Sequence, residues 1–118
     1  MSGSGIGWNQ TASGSLGNTA TLLSISATPG ATRLGGYYID NPNSSSVYLQ
    51  IFDAKSAGDV TLGTTAPKLS LSIPASGAAN LSIGNGIRFF YGIVIAFTAG
   101  RANNVSPGTN CDYNIWFD

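Results

Sequence analysis

The side chains that could do chemistry in this chain are few and poorly spaced for it. There is no histidine and no glutamate; the acids are Asp40, Asp53, Asp59, Asp112 and Asp118. A serine or cysteine nucleophile needs a neighbouring base, and without an imidazole the usual triad cannot be assembled. A serine–lysine pair remains formally open, but Lys55 and Lys68 fall in stretches that read as loops, with no supporting motif. Glycoside hydrolysis needs two carboxylates across a cleft. Each aspartate here stands instead at a strand end or turn, where Asp is common for conformational reasons. Asp53 and Asp59 could serve calcium together with backbone carbonyls, yet the dense Asp spacing of a calcium loop is missing. One cysteine and no histidine argue against zinc or a redox metal. No GxxxxGK[ST] occurs, so the glycine-rich segments form no phosphate loop. The expectation is a protein that is not an enzyme and that takes no cofactor and no metal.

Composition points the same way. The 118 residues are 42% hydrophobic but only 8% charged, against roughly 25% charged in an average soluble domain. Ser, Thr, Asn and Gly stand in for the charged helix formers, which is a vocabulary of strands and turns. Five Lys and Arg balance five Asp, for a formal net charge of 0. Near-zero charge promotes association, which suits a subunit whose surface is occupied by neighbours. It does not suit nucleic acid, which needs a basic patch; Arg33, Lys55, Lys68, Arg88 and Arg101 are scattered along the chain. No apolar run is long enough for a membrane-spanning helix. Met1–Trp8 lacks the basic and apolar regions of a secretory signal, so synthesis in a cytoplasm is expected. Cys111 has no partner for an intrachain disulfide; it reads as a small buried hydrophobe, the alternative being an intermolecular bridge or reactive thiol.

The elements that must position these residues are short strands. The pattern is organised around GIRFFYGIVIAFT, Gly86–Thr98, which from Phe89 onward is apolar on both alternations. Such a strand is covered on both faces and runs through the middle of a sheet. Ahead of it, Ser2–Asn18 is Gly- and Ser-rich, with Ile6, Trp8 and Leu16 as isolated apolar points. It reads as a flexible arm, residues 1–18, ahead of a domain over residues 19–118. Trp8 either anchors that arm in a pocket or folds back on its own domain.

Thr19–Thr28 reads as a first strand with Leu23 and Ile25 on one face, ending at Pro29-Gly30. Gly35–Asp40 and Ser46–Asp53 follow, separated by Asn41-Pro42-Asn43 and expected to pair as an antiparallel hairpin. Val47, Leu49 and Ile51 alternate with Tyr48, Gln50 and Phe52. The long loop 54–67 carries a possible edge strand at Val60–Leu62. Leu69–Pro74 and Ala78–Ile83 read as a second hairpin, and Gly84-Asn85-Gly86 as a sharp turn. After a polar loop, Cys111–Phe117 closes the fold, with Tyr113, Ile115 and Phe117 on one face and Asp112, Asn114 and Trp116 on the other. Seven or eight strands without a helix read as an all-β, single-domain antiparallel β-sandwich, jelly-roll-like.

Within this layout a tyrosine-bearing strand and Asn-rich turn (Tyr37–Asn43) precede the block YLQIFDAKSAGDVTLGTTAPKLSLSIPA (Tyr48–Ala75). Gly86-Ile87-Arg88-Phe89 and the apolar strand Gly92–Thr98 follow. This arrangement, a little over half the chain, resembles small structural proteins of tailed bacteriophages. The resemblance implies a virion protein of capsid cement or decoration type on the capsid exterior, with the major capsid protein as partner. It leaves open self-association, a trimer included, and implies neither a nucleic-acid nor a membrane partner. It carries no catalytic residue. The Gly/Ser arm and the Trp-bearing last strand lie outside it. Ile6, Trp8, Leu16 and Trp116 are therefore the candidate partner-binding residues on their own chemistry, as apolar or aromatic side chains in polar surroundings. Deleting residues 2–18 is expected to weaken shell binding and leave the sandwich folded. Two other readings stand beside this one: a tail, neck or fibre-base protein, and a carbohydrate-binding module using Tyr37, Tyr38, Tyr48, Trp8 or Trp116 to stack sugars.

Overall fold

In the segment CDYNIWF the residues at odd positions bury completely or nearly so, and Asp112 and Asn114 between them face outward. This is period-two alternation with one face on a core in the computed structural model, which describes residues 10–118. The strands are β1 (Gln10–Leu16), β2 (Thr21–Ile25), β3 (Thr32–Asn41), β4 (Val47–Asp53), β5 (Leu69–Ile73), β6 (Gly77–Phe89), β7 (Gly92–Thr98) and β8 (Cys111–Phe117). A single 3-10 turn at Ala57–Asp59 is the helical structure among the described residues. The strands form two four-stranded antiparallel sheets, in the orders β1-β8-β3-β6 and β2-β7-β4-β5. That order is a jelly roll: of the strands adjacent in sequence only β4 and β5 pair, and every other connection crosses from one sheet to the other.

The inner faces meet in one core that includes Leu34, Ile39, Leu49, Ile51, Ile73, Phe89, Ile93, Ile95, Phe97, Ile115 and Phe117. Each such side chain contributes about 1.5–3 kcal/mol on burial, so this layer dominates stability. A second cluster, Phe52, Ala54, Val60 and Val94, lies on the outer side of the β2-β7-β4-β5 sheet beneath the loop 54–68. It explains why β7 is buried at all seven positions, as the doubly apolar pattern predicts. Val60 therefore helps to cover the sheet from outside and belongs to no edge strand. At the other end of the same face Gln50, fully buried, donates from Nε2 to Thr98 Oγ1 and to the Asn103 carbonyl, pinning the loop 99–110.

Four expectations need correction. Residues 10–16 are β1, paired in unbroken register from Gln10↔Phe117 to Leu16↔Cys111, and not part of an arm. Neither expected hairpin exists: β3 and β4 lie in different sheets, as do β5 and β6. Asn41-Pro42-Asn43 is instead a crossover knot. Asn41 Nδ2 donates to the carbonyls of Ser45 and Pro74, and Asn41 Oδ1 accepts from the backbone and side chain of Asn43. Asn43 in turn exchanges hydrogen bonds with the Thr109 backbone, tying three connections together at one end of the sandwich. Gly84-Asn85-Gly86 does not turn the chain. It is absorbed in β6 as an irregularity, because pairing jumps from Leu34↔Ile87 to Gly36↔Ser82, and Gly86 takes φ 76 there. The actual turn falls at Phe90-Tyr91, inside the stretch that alternation alone reads as one continuous strand.

Candidate functional site

Two surfaces gather chemistry-bearing side chains. The first is the end of the sandwich where β2, β4 and β6 finish. Asp53, the last residue of β4, turns its carboxylate onto the β6–β7 turn: Oδ2 accepts from the Phe90 amide, and Oδ1 from the Tyr91 amide at 2.8 Å. The amide of Gly92 leans on the same oxygen. An acid at a strand end thus satisfies backbone donors that the sharp turn leaves unpaired. Glycine is required at 92, where a Cβ would stand 2.5 Å from the Ser24 carbonyl oxygen and 2.6 Å from that of Ala54. The turn is further fastened by Ser26 N donating to the Tyr91 carbonyl and Gly30 N to the Phe90 carbonyl.

The consequence is a rigid pair of aromatic rings held out of the core. Phe90 and Tyr91 are 51% and 54% exposed and meet edge to face with centroids 4.8 Å apart. Ile25, at the end of β2 and paired with Gly92, is 58% exposed beside them. Tyr91 also walls a cleft of about 330 Å³ with Asp53, Lys55, Asp59 and Thr65. Asp53 is committed to the turn, and no imidazole exists in the chain. Among the described residues no three potential metal ligands come together.

The second surface is the outer face of the β1-β8-β3-β6 sheet. Register places its side chains in three rows. Thr11, Trp116, Gly36 and Ser82 form the first, and Ser13, Asn114, Tyr38 and Asn80 the second. Ser15, Asp112, Asp40 and Ala78 form the third. A Cβ on Gly36 would lie 2.7 Å from Trp116 Cζ2 and 2.8 Å from Cε2, so the indole rests directly on the glycine backbone. Tyr38 is 43% exposed diagonally from it. Ser13 Oγ donates to Asn114 Oδ1 across the row.

Of the residues expected to contact partners, Ile6 and Trp8 lie outside the described residues. Leu16 is not an exposed anchor. It ends β1 half-buried and packs on the main core. Trp116 is half-buried on the outer face, as the alternation of β8 predicts. The aromatic set considered for sugar stacking is split: Tyr37 is buried, and Tyr48 is half-buried with the Arg101 guanidinium 5.3 Å over its ring. The Ile25–Phe90–Tyr91 tip escapes a reading of the sequence. Its residues have the pattern of buried strand positions, and the signal that marks them, the interruption by Arg88 and Gly92, shows only where the strand breaks. Cys111 is the buried small residue that its place on β8 implies. Burial, followed by the charges of Asp112 and Asp40, pushes its thiol up to about 11.

No protein-family model matches this chain, and no curated protein matches it. Two solved structures align loosely with it over most of its length. One, described as the crystal structure of PirA, aligns over 93% of this chain and 94% of that one, with 13% identity and a TM-score of 0.48. The other is the coat protein of Tobacco streak virus, over 93% of this chain and 87% of that one, with 11% identity and a TM-score of 0.41. Both superpositions are loose, so the assignment to the jelly-roll architecture rests on the strand order of this chain itself.

Proposed function

We propose that this chain is a virion structural protein without enzymatic activity, a cement or decoration subunit of a tailed-phage capsid. It binds the shell exterior and bridges neighbouring major capsid protein subunits, each copy adding a modest contact that multivalency sums over the particle. Support comes from the resemblance of Tyr37–Thr98 to phage structural proteins and from a surface with little charge to oppose close packing. The observation that carries the reading is the Ile25–Phe90–Tyr91 tip. Its rings are large, apolar, exposed and held in place by Asp53, which is the make-up of an interface anchor awaiting its pocket. Rigid aromatics lose little conformational entropy on docking, so their burial converts efficiently into affinity.

The deciding experiment is quantitative mass spectrometry of purified particles against the major capsid protein. Hundreds of copies per particle support the cement role. A dozen or fewer moves the protein to the tail, neck or fibre base, and absence from particles ends the virion reading. In reconstitution with undecorated shells, the double substitution Phe90→Ser and Tyr91→Ser weakens binding by at least about 2 kcal/mol, the scale of an aromatic hot spot. The fold survives, because neither ring is in the core.

A further inference from the structure

We infer that the outer face of the β1-β8-β3-β6 sheet is a binding platform for a neutral oligosaccharide, independent of the tip and of any role in a virion. The inference starts from Trp116. Gly36 has no Cβ, so the indole packs onto the strand beside it and stays partly exposed on the outer face. A flat ring facing solvent from a rigid strand is the surface on which the C–H face of a pyranose packs. Tyr38 supplies a second ring on the neighbouring strand, one row along. Diagonal neighbours on a sheet lie about 7–8 Å apart, a span that consecutive sugar rings bridge.

The polar groups around the rings select the same ligand. Asn80 and Asn114 flank Tyr38 on either side, offering amide donors and acceptors to ring hydroxyls. Beyond them Asp40 and Asp112 stand directly opposite each other on adjacent strands. Like charges in that position repel and cost stability. Hydroxyl donors arriving between them relieve the repulsion, whereas a phosphate, sulfate or uronate increases it. At the opposite end of the face, past the Trp116 row, Arg33 and Arg88 are engaged elsewhere: Arg33 with Asp118 at 3.0 Å, and Arg88 Nη1 with the Gly30 carbonyl at 2.7 Å. The face is built for a polyol without negative charge.

The test uses the full chain on an array of neutral and acidic glycans, followed by titration of each hit in a Trp8→Phe background so that Trp116 reports by fluorescence. Binding to neutral glycans is expected, with a change in Trp116 emission. Tyr38→Ala, read by fluorescence, and Trp116→Ala, read by calorimetry because it removes the reporter, should each weaken it by about tenfold or more, as the loss of one stacked ring entails. Tyr38→Ala guards against a folding artefact, since Tyr38 is exposed and its thermal midpoint should match the parent. Failure to bind any neutral glycan, retention of acidic glycans only, or binding that both substitutions leave unchanged would each overturn the assignment.

Discussion

Single positions in this sandwich are constrained by what stands against them, and the glycines show the range. At Gly92 a methyl group would press on two backbone oxygens that cannot swing away. Gly92→Ala should therefore destabilise by about 1–3 kcal/mol, the usual cost of overpacking. Gly84 faces open space and keeps to the ordinary half of φ, so Gly84→Ala should be neutral or stabilising by up to about 1 kcal/mol. Urea denaturation of the pair measures both. Cys111 makes a second residue-scale prediction. Its thiol is buried within reach of Asn41 Oδ1, 3.8 Å away, so the protonated form is the one the fold accommodates. Above the ordinary cysteine range the unfolded chain loses this proton while the folded chain keeps it. The unfolded state then binds fewer protons, and stability falls as pH rises. The window runs from the ordinary value of 9.0 to about 11. Burial raises Tyr37 in the same direction. Cys111→Ala should flatten the loss between pH 9 and 11 without abolishing it; an unchanged slope would show that the thiol takes no part.

At the scale of elements, β8 is readable because alternating residues of contrasting polarity report directly which face is buried, whereas in β4 Gln50 and Phe52 are buried on the outer face as well. Pairing partners are another matter. Alternation says which way a side chain points and nothing about which sheet the strand joins, so β3 and β4 look like a hairpin although the chain crosses between sheets at Asn41–Asn43. β1 is harder still. QTASGSL has no apolar alternation to detect, since only Ala12 and Leu16 touch the core, and the rest of its order comes from the hydrogen-bond ladder to β8. The candidate surfaces are legible to the same degree: Trp116 stands out as an aromatic on a polar face, while Phe90 and Tyr91 are disguised as core. The truncation experiment changes accordingly. Removing residues 2–18 strips β1, opens the edge of β8 and uncovers the core beneath Leu16. It should lower stability measurably and promote aggregation through the new edge, so loss of shell binding in that variant would not isolate a role for the arm.

For the molecule as a whole, the jelly roll places nearly every stabilising contact between segments far apart in sequence. Gln10 pairs with Phe117, Thr32 with Phe89 and Tyr48 with Thr98; of strands consecutive in the chain, only β4 and β5 meet in a sheet. Even they must close a loop through residues 54–68 before the first ladder bond forms. Loop-closure entropy is lost before those contacts compensate, which places folding with the slow all-β domains, in milliseconds to seconds, far from the microsecond helical bundles. Stopped-flow refolding of the Trp8→Phe variant, followed through Trp116, should show this range, because Trp116 settles on Gly36 only once β8 has joined β3. Substitutions that loosen β4 or β5, such as Ile73→Val, should slow refolding if that pair nucleates the sandwich. The same change in β8, Ile115→Val, should act mainly on the unfolding rate. Refolding complete within microseconds, or equal partitioning for the two substitutions, would mean that the β4–β5 ladder does not lead. In that case the long-range β3–β8 pairing would have to form at the outset.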